Sequence, residues 1–304
     1  MPRPLGRLLT AMVTPFGPDG RVNLDTAAEL AKRLVAAGSD GVVVNGTTGE
    51  SPTLKSHERL ALLDAVRRAL PDHAVIMGTG SYDTAASVEL TREAMDHGAD
   101  AALVVTPYYN KPPEEGLIAH YHAIAHVGLP VIMYNIPSRS VINMSAALQL
   151  QLAQHPNIVG TKECADLEQV AQIVDAAPPG FRVWSGDDVA ALPQLSVGAY
   201  GLISVAAHVC GAALRMMIDA YVAGDVGTAA SLHRRLMPVF KGLFMTANPI
   251  AVKAAVGMLG LDAGTPRLPL VPLDADRAVR LAAILDEAGD LVGLPALSTV
   301  PASA

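Results

Sequence analysis

Eight short apolar runs, each followed by a longer amphipathic segment, constrain the fold of this chain more than any other feature. The runs are rich in Val and Ile and do not alternate with polar residues, which is typical of parallel strands buried on both faces. They cover residues 8–13, 41–44, 74–77, 101–105, 131–134, 158–161, 181–184 and 201–205. The segments between them have helical periodicity, and Thr84 and Ser145 are the predicted N-caps of two of these helices.

Eight strand–helix units in about 220 residues predict an α/β fold, a closed (β/α)8 TIM barrel. A doubly wound open sheet is the alternative, but no Gly-x-Gly-x-x-Gly turn follows the first run. We expect residues 1–224 to form the barrel and residues 225–290 to add three C-terminal helices, with Pro249 in the first turn of the second. Residues 291–304 are expected to be a poorly ordered tail.

The composition excludes several classes of protein. The chain is 51% hydrophobic and 17% charged, so it can bury a large core and is not disordered. Its net charge is −7 and no Lys or Arg run stands out, which argues against a nucleic-acid partner. No apolar run is long enough to span a membrane. Cys164 and Cys210 form no disulfide framework or zinc spacing, so we expect a cytoplasmic protein.

Lys162 is the first candidate for chemistry, because active sites of this fold lie at the carboxyl ends of the strands. The six lysines stand at positions 32, 55, 111, 162, 241 and 253, and Lys162 is the one in a predicted strand. Strand parity places it on the same face as Gly160 and Ile158. Burial there would lower its pKa and free a nucleophilic amine, whereas a lysine extending to solvent is the plain alternative. Lys253, in an apolar helix, is the rival candidate.

Polar residues at other strand ends complete a candidate site. Thr47 and Thr48, within the glycine-flanked residues 46–49, offer hydroxyl and amide groups that suit a small carboxylate. Tyr134 ends the fifth strand and could transfer protons, and Arg139 in the next loop could bind a second carboxylate. An ordinary turn, a structural tyrosine and a solvated arginine are the alternatives for these positions.

Taken in order along the chain, these motifs resemble the dihydrodipicolinate synthase / N-acetylneuraminate lyase family. The resemblance runs from about residue 8 to residue 270 and includes Asn248-Pro249 and the stretch Arg267-Leu268-Pro269-Leu270. It is closest to the branch that condenses pyruvate with aspartate semialdehyde. Each motif is weak alone, but the ordered set is specific.

The resemblance implies the catalytic roles. Lys162 would form an imine with pyruvate, and Tyr134 would donate and accept the protons. Thr47 and Tyr109 would complete a proton relay, with Tyr109 supplied by a neighbouring subunit. Neither a metal nor an organic cofactor is implied, because the lysine amine is itself the electron sink.

The resemblance also implies the binding roles and the assembly. Thr48 and the backbone of Ile203 would bind pyruvate, and Arg139 would bind the carboxylate of aspartate semialdehyde. The segment Asp187-Asp188 would shape the same pocket. A homotetramer, built as a dimer of dimers, would be the functional form.

Two other functions remain open at this point. Another aldolase of the family could cleave a sialic acid or a sugar-derived 2-oxo acid, although Thr47 and Arg139 favour the synthase branch. A catalytically silent ligand-binding paralogue is the third hypothesis, and intact Lys162, Tyr134 and Thr47 argue against it.

Some members of this family are inhibited by lysine, which is bound in a cage of His and Glu side chains. The resemblance places Ser56 and Arg59 at the histidine positions of that cage, and Ala86 at the glutamate position. Alanine accepts no hydrogen bond and arginine repels a cation, so the sequence predicts insensitivity to lysine.

Overall fold

The structure, a computed structural model, describes residues 3–297. Eight parallel strands close into one barrel in chain order, with β8 paired to β1, as the sequence predicts. The strands are β1 (Leu8–Ala11), β2 (Gly41–Val44), β3 (Ala74–Gly78), β4 (Ala101–Val105), β5 (Val131–Asn135), β6 (Ile158–Glu163), β7 (Arg182–Ser185) and β8 (Gly201–Ser204). Their carboxyl ends therefore meet at one rim, where the candidate residues lie.

The helices surround the barrel and extend beyond it at the C-terminal end. They are α1 (Leu24–Ala36), α2 (Ser56–Ala69), α3 (Thr84–Asp96), α4 (Glu114–Ala125), α5 (Pro137–Ser140), α6 (Ala146–Leu152), α7 (Leu167–Ala176), α8 (Ala191–Ser196), α9 (Ala207–Val222), α10 (Val226–Leu243), α11 (Ile250–Met258) and α12 (Ala275–Ala288). Short 3-10 turns cover Ser51–Thr53 and Gly289–Leu291. Within the part of the chain that is described, no helix is both long and apolar enough to cross a membrane.

The helix ends differ in two details from the prediction. Ser145 is the N-cap of α6 as predicted, since its side chain accepts from the Leu148 amide. Thr84 is not an N-cap, because the carboxylate of Asp83 accepts from the amide of residue 86 and caps α3 instead. Pro249 lies one residue before α11 rather than in its first turn.

The core has two layers that lie on opposite sides of the barrel wall. An inner layer fills the barrel with side chains such as Leu9, Val43 and Trp184. An outer layer packs the strands against the helices, and it continues without a break into Phe240 of α10 and Val252 of α11. The C-terminal helices therefore share the core of the barrel and are held firmly against its rim.

A bulge in β6 corrects one part of the strand-parity prediction. Val131 pairs with Ile158, but the next residue of β5 pairs with Gly160, which leaves residue 159 as the extra one. Ile158 consequently packs in the outer layer, not on the face of Lys162. Gly160 does face the interior, where a Cβ would lie 2.7 Å from the Trp184 ring.

The beginning of the predicted tail is packed. Leu291 and Leu294 are buried, and the Gly293 amide donates to the carbonyl of Val209 at 2.7 Å. For residues 291–297 the expectation of poor order is therefore wrong, because two leucines cover the outer layer. Residues 298–304, the rest of that segment, lie outside the described residues.

Candidate active site

Lys162 lies where the barrel interior opens at the rim. It is paired in register with Tyr134 on β5 and Trp184 on β7, and it is 4% exposed. Burial lowers the pKa of Lys162, and no carboxylate forms an ion pair with it among residues 3–297. An amine that is desolvated without a counter-ion is available as the neutral nucleophile.

Tyr134 stands over this amine, with its ring centroid 4.4 Å from Lys162 Nζ. Burial raises the pKa of Tyr134, while the positive charge of Arg139 and a hydrogen bond with Thr47 act in the opposite direction. The phenol therefore stays protonated, and Thr47 on the loop after β2 is close enough to influence its pKa. Three of the predicted residues, Lys162, Tyr134 and Thr47, are thus brought together by the strand ends.

Gly186 and Cys164 belong to the site but were not assigned roles from the sequence. A Cβ at Gly186 would lie 2.3 Å from Cys164 Sγ and 3.0 Å from Lys162 Cε, so the glycine leaves space for the lysine side chain. Burial raises the pKa of the Cys164 thiol to about 12, which makes it an unreactive neighbour. The signal for Gly186 was its place directly after a strand, where a side chain would enter the barrel mouth.

A cavity of about 460 Å³ opens beside these residues. Its lining includes Cys164 and Gly186, which lie beside Lys162, together with Arg139 on α5 and Asp187 after β7. Phe244, which follows α10, covers one side. The cavity can hold a small substrate with its carboxylate at Arg139 and its reactive carbon near Lys162.

Thr48 and Ile203, the residues assigned to pyruvate by the resemblance, are both buried. Ile203 is buried on β8 and pairs with Leu9 of β1. Thr48 is buried, and its Oγ1 accepts a hydrogen bond from Asn248 Nδ2 at 2.8 Å. Sequence reasoning missed the role of Asn248, because its partner lies 200 residues away.

The two aspartates after β7 have different surroundings. Asp187 is exposed and lines the cavity, as the resemblance implies. Asp188 is buried away from the cavity lining and accepts from Ser204 Oγ and from the amides of Val205 and Ala206. Burial raises the pKa of Asp188 to about 6. Its contacts fix the turn after β8, so it supports the site rather than shaping the pocket.

The Tyr109 side chain does not lie near Lys162 of the same chain. It lies in the loop after β4 with φ of 72° and is 89% exposed. Its neighbour Tyr108 is turned inward, in edge-to-face contact with Tyr82 at 5.2 Å. This exposure places Tyr109 on the surface of the chain, away from the buried amine of Lys162.

Lys253, the rival nucleophile, has an ion-pair partner. Its Nζ lies 2.8 Å from Glu50 Oε1, and both side chains are 1% exposed. The Glu50 carboxylate favours the charged form of this amine and engages its Nζ, which makes Lys253 the poorer nucleophile. Across residues 3–297 no group of three or more His, Cys, Asp or Glu side chains converges on a metal-binding point. At the rim, the Lys162 amine lies beside the Tyr134 phenol.

Comparison with known proteins agrees with this geometry. The model of the dihydrodipicolinate synthetase family matches residues 4–288. The 4-hydroxy-tetrahydrodipicolinate synthase of Symbiobacterium thermophilum is 57% identical over 94% of this chain and 99% of its own. That of Moorella thermoacetica is 54% identical over 93% and 98%, respectively. The crystal structure of the Cyanidioschyzon merolae synthase with lysine bound is 43% identical, covers 94% of this chain and 98% of its own, and has a TM-score of 0.92.

Proposed function

The chain belongs to the dihydrodipicolinate synthetase family, and on that premise we propose that it acts as a 4-hydroxy-tetrahydrodipicolinate synthase. It condenses pyruvate with aspartate semialdehyde through an imine on Lys162, in the biosynthesis of diaminopimelate and lysine. The observation that carries the proposal is the buried amine of Lys162, which has no ion-pair partner among residues 3–297 and lies 4.4 Å from the centroid of the Tyr134 ring. A nucleophilic amine with a proton donor beside it is what a ketone substrate needs in order to form an imine.

Imine formation is the first half of the reaction. The neutral amine of Lys162 attacks the ketone carbon of pyruvate, and the resulting carbinolamine loses water to give the imine. Tyr134 delivers and removes the protons, and Thr47 connects it to the relay that Tyr109 of a second subunit completes. The hydroxyl of Thr48 and the backbone at Ile203 hold the carboxylate of pyruvate. Burial helps because it keeps the amine unprotonated.

Carbon–carbon bond formation is the second half. The imine loses a methyl proton to give an enamine, whose carbon attacks the aldehyde carbon of aspartate semialdehyde. Arg139, which lines the same cavity as Cys164 and Gly186, binds the carboxylate of this second substrate. The amine of that substrate then displaces Lys162 from the imine carbon, which closes the ring and regenerates the free lysine.

The exposed Tyr109 supports the proposed assembly. Two copies related by a twofold axis would each insert this residue into the site of the other, and two such dimers would form the tetramer. Cys164 and Cys210 are both free thiols, which supports a location in the reducing cytoplasm.

Borohydride trapping tests the chemistry. With pyruvate present, reduction should add one stable mass at Lys162 and none at Lys253, and it should abolish activity. A coupled assay with pyruvate and aspartate semialdehyde, run beside an assay of N-acetylneuraminate cleavage, then identifies the second substrate. An adduct at Lys253, or cleavage of the sialic acid faster than condensation, would overturn the proposal.

Mixing two inactive variants tests the assembly. Lys162→Ala lacks the nucleophile, and Tyr109→Phe lacks the relay hydroxyl. Co-refolded mixtures should recover about a quarter of wild-type activity, because half of the dimers would be mixed and each would have one intact site. A mixture with no more activity than its components would show that Tyr109 does not act across subunits.

A further inference from the structure

The loop after β2 is joined to the C-terminal helices by a set of buried polar contacts, which we name the seam. On the loop side the seam consists of Thr48 and Glu50, and on the C-terminal side it consists of Asn248, Lys253 and Arg267. These two parts of the chain are about 200 residues apart in sequence. The seam therefore connects the candidate pyruvate cradle to helices that contribute no strand to the barrel.

Glu50 anchors the loop after β2 to the C-terminal part of the chain. Its Oε1 accepts from Lys253 Nζ at 2.8 Å, and its Oε2 accepts from the Arg267 amide at 2.8 Å. Between Thr48 and Glu50, the Gly49 carbonyl accepts from Thr14 Oγ1 at 2.6 Å. Both carboxylate oxygens of Glu50 are thus satisfied, so the buried charge is compensated and the loop has little freedom to shift.

Asn248 contacts Thr48 directly. The amide nitrogen of asparagine carries only donor hydrogens, so the Thr48 oxygen must accept in this 2.8 Å bond. The hydroxyl hydrogen of Thr48 is then left to donate in another direction. Both residues are more than nine-tenths buried, so water does not compete for the oxygen.

We infer that Asn248 is a positioning residue for pyruvate, which acts by orienting the Thr48 hydroxyl toward the pyruvate carboxylate. The inference rests on the proposed function, because it concerns the substrate of that same site. Glu50 and Lys253 hold the two chain segments at the separation that this hydrogen bond requires. The C-terminal helices are accordingly part of the binding site for pyruvate.

The experiment measures the pyruvate concentration that gives half-maximal borohydride trapping at Lys162, by intact-protein mass spectrometry. It compares the wild type with Asn248→Ala, Thr48→Val and the double variant. Each single variant should raise this concentration about tenfold, and the double variant should be no worse than Thr48→Val alone, since Asn248 acts through Thr48. Trapping at saturating pyruvate should still reach completion.

Asn248→Asp separates orientation from shape. Aspartate keeps the size of asparagine but only accepts, so it turns the Thr48 hydroxyl toward itself and should weaken pyruvate binding more than Asn248→Ala does. A residue that merely fills space predicts the reverse order. Asn157→Ala removes a comparable amide hydrogen bond, to the Ala125 carbonyl, and should leave the pyruvate dependence unchanged.

Each outcome is decisive. Independent effects of Asn248→Ala and Thr48→Val that multiply in the double variant, or near-wild-type binding by Asn248→Asp, would overturn this inference while leaving the proposed function intact. A wild-type chain that forms no adduct with pyruvate would overturn the proposed function and this inference with it. Should Asn248→Ala unfold, the comparison of Asn248→Asp with wild type alone still tests the predicted loss.

Discussion

Lys162 and Lys253 are both almost inaccessible to solvent, at 4% and 2% exposure, but they lie in opposite electrostatic surroundings. At the barrel mouth Lys162 faces an aromatic ring and forms no ion pair within the described chain. In the seam Lys253 is held by the Glu50 carboxylate at 2.8 Å and lies 4.1 Å from the centroid of the Phe16 ring. The same side chain is thus buried once without a counter-ion and once with one.

The comparison of Lys162 with Lys253 shows that burial alone does not make a lysine reactive. Burial lowers the pKa of both amines, but at Lys253 the adjacent carboxylate of Glu50 stabilises the charged form and opposes the shift. Removing Glu50 from that pair would leave a charge with no compensation, whereas Lys162 has no such partner to lose within the part of the chain that is described. We therefore expect the residues around Lys162 to govern kinetics, and the charged pair of Glu50 and Lys253 in the seam to govern stability.

The largest expected effects come from replacing each lysine by methionine. Lys162→Met should lower activity by at least about a thousandfold, because the nucleophile is gone, and should leave stability unchanged or slightly higher. Lys253→Met should destabilise the protein by about 3–5 kcal/mol, because it leaves the Glu50 charge buried and unpaired. Urea unfolding and the coupled assay measure the two quantities on the same samples.

The double variant Glu50→Gln/Lys253→Met is the control for the seam. It removes both charges and keeps the approximate shape, so most of the lost stability should return. If the double variant is as unstable as Lys253→Met, packing rather than charge explains the loss. Similar destabilisation by Lys162→Met and Lys253→Met would end the distinction between the two regions.

The mouth was more predictable from the sequence than the seam, and the reason is the range of the contacts. Lys162 could be recognised because strand position and apolar neighbours are local signals. The partner of Lys253 could not, since Glu50 lies 203 residues away and pairs through tertiary packing alone. The bulge at residue 159 could not be predicted for a similar reason, because a run of apolar residues does not show where the register of two strands shifts.

Arg139→Ala should have the next largest effect, and this effect should be on the reaction rate rather than on stability. Loss of the charge-assisted pair with the second substrate should cost a few kcal/mol in kcat/KM for aspartate semialdehyde. Imine trapping with pyruvate and the unfolding midpoint should stay near wild type, because Arg139 is exposed at the cavity. Equal losses in trapping and in condensation would mean that Arg139 has a structural role instead.

Glu58→Gln should lower the stability by a smaller amount, and the size of this loss should depend on pH. The hydrogen bonds from Arg267 hold the pKa of Glu58 at about 2. A carboxylate with a depressed pKa contributes stability above its unfolded pKa of about 4.3, and that contribution is lost as pH falls toward 2. The variant should therefore be about 1–2 kcal/mol less stable than wild type at pH 7, a figure reduced for solvent screening.

Unfolding at pH 7, 4 and 2.5 measures this dependence. The gap between wild type and Glu58→Gln should narrow over that range, because protonation of the wild-type carboxylate reproduces the variant. Glu89→Gln, which breaks the exposed pair with Arg92, is the matched control and should change stability little at any of these pH values. A gap that is constant with pH would assign the loss to packing.

The smallest effect is expected when L-lysine is added as a ligand. Its expected cavity adjoins the seam, because Ser51, the residue after Glu50, is part of the lining. The cavity there is lined by Arg59, Ala86 and Tyr108, and the Arg59 guanidinium donates to the carbonyls of Leu54 and Ser51 at 3.0 and 3.1 Å. A fixed guanidinium repels the ammonium of lysine, and Ala86 offers no carboxylate to bind it. The crystal structure from Cyanidioschyzon merolae shows that a relative binds lysine, so a conversion of this cavity can be attempted.

A dose–response curve with L-lysine should be flat to about a millimolar, which corresponds to binding weaker than about −4 kcal/mol. The triple variant Ser56→His/Arg59→His/Ala86→Glu should gain inhibition, because it removes the repelling charge and adds a carboxylate at the position that the resemblance assigns to the cage. Arg59→Ala alone should gain little, since removing repulsion without adding an acceptor leaves the ammonium unpaired. Half-inhibition of the wild type below about a millimolar would show the prediction to be wrong and would point to a cage that includes His57 and Glu58, although Arg267 donates to both carboxylate oxygens of Glu58.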